Sequence, residues 1–258
     1  MCLIAFAYQQ HPEYPLIVIA NRDEFYARPT EQAHWWTDKP GILAGKDSQG
    51  GGTWMGVGRN GRFAALTNYR EPQNIIAHAP TRGLLVTEYL EGNMSIENYL
   101  SGIHEKGQAY NGFNLLTGGP EELWWYSNRG EQPEKLEPGI YGVSNALLDS
   151  PWPKLVNLKG KLSNLMESRT FDHELALAAL IDRSIAPDLD LPQTGVPLEW
   201  ERRLSAMYIE MEKYGTRCST VLSYDRSGMV RFTERSYVPD RGTVSEEFSW
   251  KAVVPNLD

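Results

Sequence analysis

Over the first seventy positions apolar residues fall in short blocks broken by Gly, Pro and Asn, a pattern that predicts sheet. Residues 2–8 and 16–21 are β-rich runs on either side of His11-Pro12-Glu13-Tyr14-Pro15, a breaker segment that predicts a hairpin. Residues 53–57 and 62–67 make a second pair around Gly58-Arg59-Asn60-Gly61. The period then changes. Leu84, Leu85, Thr87, Glu88 and Tyr89 predict a helix over 81–91, and Ile96, Tyr99, Leu100 and Ile103 predict another over 95–105. Strands follow at 112–117 and 122–126, joined by Gly118-Gly119-Pro120, and at 140–144. Residues 152–167 and 172–185 have helical spacing, the second behind a capping Asp172. The Pro-containing stretch 186–197 reads as a loop, and residues 197–212 as an amphipathic helix opened by Pro197. Strands return at 219–224, 230–233 and 248–253, with Asp225-Arg226-Ser227-Gly228 as a turn.

Strands at both ends with helices between them disfavour a strictly alternating parallel sheet. They predict an α+β fold of antiparallel sheet packed with helices. At 258 residues and 41% hydrophobic content the chain suits one domain, 1–258, with a sizeable core. A net charge of −8 and the lack of any Lys/Arg-rich run argue against nucleic acid as a partner. The apolar N-terminal run lacks a positive n-region and stops at Gln9-Gln10, too short for an export signal. No run is long enough to span a membrane, so a cytoplasmic location is expected. Two cysteines, Cys2 and Cys218, exclude a disulfide scaffold and a zinc site built from four cysteines. The five histidines show no H-x-x-x-H or H-x-H spacing, so no metal is expected.

Gly56-Val57-Gly58-Arg59-Asn60-Gly61 matches G-x-G-x-x-G, but a dinucleotide fingerprint must open a helix, and Arg62–Thr67 reads as a strand. These glycines are turn residues. Cys2 offers more chemistry. Methionine removal is expected before so small a residue, and it would leave a thiol nucleophile and an α-amine on one residue. The amine's reference pKa of about 7.7–8.0 suits a proton acceptor near neutrality. The plainer reading is a small apolar residue opening a buried strand. Asn21-Arg22-Asp23-Glu24 ends the second strand, and a 2–8/16–21 hairpin brings it beside Cys2. There an arginine can lower the thiol pKa and a carboxylate can orient the amine, although a solvated turn with an ion pair reads equally well. By alternation Asn21 and Asp23 share one face, and Arg22 and Glu24 the other. Asn68 and Asn145 each end a strand, where an amide can meet a developing oxyanion; such residues are more often turn formers. Arg217 is a candidate anion clamp, with an exposed salt bridge as its ordinary alternative. The eight tryptophans, including Trp35-Trp36 and Trp124-Trp125, read as packing and pocket walls.

Asn21-Arg22-Asp23-Glu24-Phe25-Tyr26-Ala27-Arg28-Pro29-Thr30 also carries a resemblance. With Met1-Cys2-Leu3-Ile4, Gly51-Gly52-Thr53-Trp54-Met55-Gly56, Leu66-Thr67-Asn68-Tyr69-Arg70, Arg82-Gly83-Leu84-Leu85-Val86, Gly112-Phe113-Asn114-Leu115, Gly142-Val143-Ser144-Asn145, Pro151-Trp152-Pro153-Lys154 and Tyr214-Gly215-Thr216-Arg217, the chain resembles the TANGO2, or NRDE, family along its whole length. That family looks like a relative of the N-terminal-nucleophile hydrolases of the penicillin V acylase and bile salt hydrolase group. The resemblance implies a four-layer αββα sandwich with two antiparallel sheets between helix layers. It implies Cys2 as nucleophile and base, Arg22 and Asp23 beside it, Asn68 and Asn145 as oxyanion or amine-orienting groups, and Arg217 as a second arginine. In the acylases the arginine and aspartate are separated by two residues; here they are adjacent, which leaves Asn21 and Glu24 as alternative occupants of those places. For function the resemblance implies the handling of an amphipathic small ligand near Cys2, with haem as a transported ligand or an acyl-CoA-like compound. The residues themselves point to the alternative, an N-terminal-cysteine amidohydrolase or thioesterase that needs no cofactor.

Overall fold

A computed structural model describes residues 2–238 and 242–252. β1 (Cys2–Tyr8) and β2 (Leu16–Phe25) form the expected antiparallel hairpin, Tyr8 opposite Leu16 and Cys2 opposite Arg22. The pair is buried on both faces, which is why its sequence runs apolar without strict alternation. Ile4, Phe6, Tyr8, Leu16, Val18 and Ala20 point one way, and Leu3, Ala5, Ala7, Ile17 and Ile19 the other. Each fully buried Leu, Ile or Phe side chain contributes about 1.5–3 kcal/mol, so this hairpin alone anchors two layers of the core.

The chain continues through β3 (Thr30–Trp35), β4 (Ile42–Asp47), β5 (Met55–Gly58) and β6 (Phe63–Asn68) to α1 (Gly83–Glu91) and α2 (Ile96–Lys106). Then come β7 (Phe113–Gly118), β8 (Leu123–Ser127), β9 (Glu134–Lys135) and β10 (Gly139–Val143). α3 (Pro153–Leu165), α4 (His173–Ala179) and α5 (Leu198–Leu204) lead to β11 (Tyr214–Tyr224), β12 (Met229–Val238) and β13 (Gly242–Lys251). Among the described residues the strands make two antiparallel sheets, in the orders β10-β1-β2-β11-β12-β13 and β3-β4-β5-β6-β7-β8-β9. One apolar cluster fills the space between the sheets. A second packs α3 and α4 on the outer face of the first sheet, and a third packs α1 and α2 on the second. This is the αββα sandwich. No helix among the described residues is long and apolar enough to cross a membrane.

Four expectations are corrected. β3 and β4 are strands that the apolar pattern did not single out. Of β3 only Ala33 is fully buried, the β3–β4 register shifts between Glu31 and His34, and β4 ends in Gly-Lys-Asp. The helix expected to reach 185 stops at Ala179, where the Leu180 carbonyl is taken by the Asn21 amide and Asp182 closes a turn onto the Ser184 N–H. The helix expected to reach 212 stops at Leu204; beyond it the Asn21 amide donates to the Met207 carbonyl, and Thr216 Oγ1 accepts from the Ile209 N–H. Side chains reaching across from the sheet satisfy the backbone there, so helical bonding is not needed. β11 begins at Tyr214, five residues before its expected start, and Val253, the expected end of the last strand, lies outside the described residues. The turn at 58–61 is as expected: Gly61 has φ +82, and Gly58 N–H donates to the Arg62 carbonyl at 2.7 Å.

α4 is tied to the first sheet by one buried imidazole. His173 lies 2.8 Å from Thr233 Oγ1 and 2.8 Å from Ser223 Oγ, and burial pushes its pKa down to about 3. The folded protein therefore resists a proton that the unfolded chain accepts near pH 6.5, and stability falls as the pH drops below that value. Urea denaturation should show a loss of about 2 kcal/mol between pH 7 and pH 5 from this group. His173→Gln should lower stability at pH 7 and flatten the slope over that interval.

Candidate active site

The β1–β2 register decides what surrounds Cys2. Cys2 faces the space between the sheets, as do Ile4 and Phe6, and its cross-strand partner Arg22 faces the same way. On the other side of β2, Arg22 pairs with Cys218 of β11, so Cys2, Arg22 and Cys218 form one row across three strands. Asn21 faces the helix layer, as alternation predicts; Asp23, at the end of the strand, accepts from Thr216 and also lines the cavity at Cys2. Asn21 is a structural hook: its amide donates to the carbonyls of Leu180 (3.1 Å) and Met207 (2.8 Å), and its Oδ1 accepts from Ser219 Oγ at 2.5 Å.

Cys2 lines the wall of a cavity of about 370 Å3 with Arg22, Asp23, Glu24, Arg28, Thr53, Trp54, Asn68 and Arg82. Cys2 is 6% exposed, and in the chain that retains Met1 burial pushes its thiol pKa up to about 11, with the N-terminal ammonium and Arg22 opposing the shift and Asp23 and Glu24 adding to it. At neutral pH the resting group is a thiol, not a thiolate. The Cys2 carbonyl accepts from Ser144 Oγ at 3.0 Å, which fixes the strand end that presents Sγ.

Of the six residues singled out in the sequence, four line this cavity: Cys2, Arg22, Asp23 and Asn68. Asn68 takes no side-chain hydrogen bond among the described residues, so its amide remains available to a ligand. Asn145 lies behind the wall. Its Nδ2 donates to the Asn68 carbonyl at 2.9 Å, and its Oδ1 accepts from Ser144 Oγ at 3.2 Å and Arg70 Nη2 at 3.4 Å. It positions Asn68. Arg217 does not reach the cavity. It sits at a bulge in β11 and clamps the 25–28 turn through the carbonyls of Phe25 (2.9 Å) and Arg28 (3.1 Å). Of the alternative occupants of the acylase places, Glu24 lines the cavity and Asn21 does not.

The sequence reading missed a buried charged cluster behind Asp23. Thr216 Oγ1 donates to Asp23 Oδ1 at 2.7 Å, and burial raises the Asp23 pKa while Lys154 pulls it back. Lys154 is 4% exposed, donates to the Leu204 carbonyl at 2.9 Å, and is pushed by burial down to about 8, against the attraction of Asp23. Beside them Arg70 and Glu201 form an ion pair at 2.7 Å, with side chains only 5% and 4% exposed. Thr194 closes the other Glu201 oxygen with its N–H at 2.9 Å and its hydroxyl at 2.5 Å. Single charged residues scattered along the chain give no sign of this arrangement. The Pro-Trp-Pro-Lys and Asn-Tyr-Arg blocks carried the only signal.

Cys218, the other thiol, is buried and bonded to the Glu234 carboxyl; burial first, and Glu234 next, raise its pKa well above the ordinary value. Glu234 in turn accepts from the Ala33 N–H of the opposite sheet at 2.8 Å. Cys218 is a packing residue. No group of three or more His, Cys, Asp or Glu side chains able to hold a metal occurs among the described residues.

The family described as Transport and Golgi organisation 2 matches residues 1–239 of this chain. The Transport and Golgi organization protein 2 homolog of Homo sapiens is 37% identical over 257 residues, covering 92% of this chain and 93% of that protein; the Bos taurus homolog has the same figures. Among solved structures, the C2A mutant of the conjugated bile acid hydrolase from Clostridium perfringens superposes with a TM-score of 0.51 over 98% of both chains, at 8% identity. That likeness is one of fold, and it agrees with the expected sandwich.

The Arg70–Glu201 pair holds the loop after β6 against α5 and, through Asn145, fixes Asn68. Removing one partner leaves an unpaired buried charge, so Arg70→Ala should lower stability by about 3–5 kcal/mol. The double change Arg70→Met with Glu201→Met should recover most of that loss in urea denaturation while leaving Asn145 without its guanidinium partner.

Proposed function

This chain belongs to the Transport and Golgi organisation 2 family, and from that premise we propose that it binds a small amphipathic acyl compound in the Cys2 cavity and cleaves it as a cysteine amidohydrolase or thioesterase. The observation that carries this reading is the placement of Cys2: a strand-end thiol in the wall of a cavity, opposite an arginine and next to an amide with no protein partner among the described residues. Once Met1 is removed, the α-amine of Cys2 takes the thiol proton and Sγ attacks the acyl carbon. A thioester bond to Cys2 forms as the C–N or C–S bond breaks, and the amine delivers the proton to the leaving group. Water then releases the acid and restores the thiol. Asn68 is the oxyanion donor, Asp23 the counter-charge of the amine, and Asn145 the residue that holds Asn68 in place. The reaction belongs to the cytoplasm, the compartment expected from the sequence.

Haem carriage is the second reading. It draws support from a separate cavity of about 580 Å3 at the other end of the sandwich, walled by Tyr89, Met94, Ile96 and Tyr224, with Arg62 and Arg226 in its lining. The Cys2 cavity suits haem poorly: none of the five histidines lines it, and its one thiol is held protonated. A Soret titration with no saturable change removes the haem reading.

Intact mass measured before and after a thiol-reactive acyl probe tests the first reading. The mature protein should lack Met1 and take one acyl group. Cys2→Ala should abolish the adduct, and Cys218→Ala should leave it unchanged. Retained Met1 with two unreactive thiols defeats the proposal. Burial pushes the Cys2 thiol up to about 11 while Met1 is in place, so in the Met1-retaining form alkylation by iodoacetamide should rise about tenfold per pH unit from pH 7 to pH 10, without a plateau.

A further inference from the structure

Four cationic side chains line the Cys2 cavity, and two of them are matched. Arg28 pairs with Asp47 at 2.7 Å and Lys46 with Asp38 at 3.0 Å. Arg22 and Arg82 form no ion pair among the described residues. Arg22 is 5% exposed, and its Nη1 is buried with no hydrogen-bond partner among the described residues. A buried guanidinium donor without an acceptor is costly, and native structures keep such groups where something else supplies the acceptor. Arg82 gives Nη1 to the Gly112 carbonyl at 2.8 Å, which leaves most of its five-donor fork uncommitted.

Arg82 also stands at the N-cap of α1, whose first residue, Gly83, lines the same cavity. The first turn of α1 contains no acidic residue. Gly52 fixes this helix end: a Cβ there would collide with the Gly83 carbonyl, so only a bare backbone can pack against it. The carboxylates nearby each accept a hydrogen bond from a group other than Arg22 or Arg82. Asp47 accepts from Gln49 and Gly50 N–H at 3.1 Å as well as from Arg28, Glu24 accepts from its neighbour's N–H at 2.9 Å, and Asp23 accepts from Thr216. The cavity thus carries two guanidinium groups without a contact ion pair among the described residues, Arg82 feeling Glu24 only at longer range, and the positive end of a nine-residue helix.

We infer that the Cys2 cavity is built to bind an oxyanion, a carboxylate or a phosphate, with Arg22 and Arg82 as its donors and the N-terminus of α1 beside them. This rests on the acyl-cleavage reading only in what it says of the substrate. If Cys2 cleaves an acyl compound, that compound carries an anionic group, and neutral amides are poor substrates. Arg82 is then the specificity-determining residue, since its fork can grip two oxygens at once.

Calorimetric titration of the full-length protein with N-acetylglycine, inorganic phosphate and the neutral N-acetylglycinamide tests the site. Saturable binding of an anion without binding of the neutral amide is expected, and the two anions separate carboxylate from phosphate recognition. The affinity should fall at least tenfold in Arg82→Gln, recover in part in Arg82→Lys, and stay unchanged in Lys135→Gln. Failure of both anions to bind, or an unchanged affinity in Arg82→Gln, overturns the inference. A second measurement uses only the unaltered protein. The ratio of iodoacetate to iodoacetamide alkylation rates at Cys2 should exceed that of free cysteine at low salt and approach it as salt is added; a ratio at or below the free value also overturns it. The two proposals fail separately. Anion binding that persists in Cys2→Ala, with no acyl adduct in the unaltered protein, removes the acyl-cleavage reading and leaves the anion site. An adduct without anion binding does the reverse.

Discussion

The site depends on one constraint, the register of β1 against β2. Cys2 sits opposite Arg22 only because Tyr8 sits opposite Leu16, and the intervening pairs are buried on both faces. Slipping the register by one residue would turn Arg22 toward the helices and Asn21 and Asp23 into the space between the sheets. Each of those errors would bury a polar group away from its partner. Asn21 would lose the Leu180 and Met207 carbonyls, and Asp23 would lose Thr216. The apolar residues therefore set the strand pairing, and the polar residues at its end penalise every other pairing.

The same end of the sheet explains why the protein tolerates so many buried charges. Arg70, Glu201, Lys154 and Asp23 are each costly to bury alone. Together they offset one another's charge and are bonded locally: Arg70 to Glu201, Lys154 to the Leu204 carbonyl, and Asp23 to Thr216. Replacing such a network with apolar side chains often raises stability, so its worth lies in placement. It joins the loop after β6, α3 and the segments around α5 to the strand ends that frame Cys2. Asn145, bonded to Arg70, is the link by which this network fixes Asn68.

Much of this was legible in the sequence, and the parts that were not share a physical cause. The hairpin, the facing of Arg22 with Cys2, and the opposite facing of Asn21 follow from period-two alternation over contiguous residues. β3 gives little signal because an edge strand that buries little needs little apolar pattern, and β4, though buried over residues 42–45, has only a short apolar run before Gly-Lys-Asp. α4 and α5 end early because distant side chains take carbonyls at and beyond their ends, Asn21 those of Leu180 and Met207 and Lys154 that of Leu204, and no local pattern encodes a partner 159 or 186 residues away. The Arg70–Glu201 pair, separated by 131 residues, is invisible for the same reason. Arg217 and Asn145 were recognisable as residues of interest, but their contacts make them braces of the site's walls, and Arg82 was hidden inside a block noted only for its resemblance.

The electrostatics of Cys2 set a condition on any chemistry there. Burial holds the Cys2 thiol well above the ordinary α-amine value of about 8, so moving the proton from sulfur to nitrogen is uphill in the empty cavity. Arg22 already opposes that cost, but Asp23 and Glu24 work against it. An anionic ligand drawn to Arg22 and Arg82 would by itself make thiolate formation harder, because it adds negative charge near sulfur. Catalysis then requires that the ligand's acyl carbon lie closer to Sγ than its anionic group does, so that charge leaves sulfur for the carbonyl oxygen facing Asn68 as the bond forms. A cavity that holds the anion at the α1 end and the nucleophile at the strand end meets that condition, and it discriminates by length: a substrate whose acyl bond lies too close to its own anion would suppress the thiolate it needs.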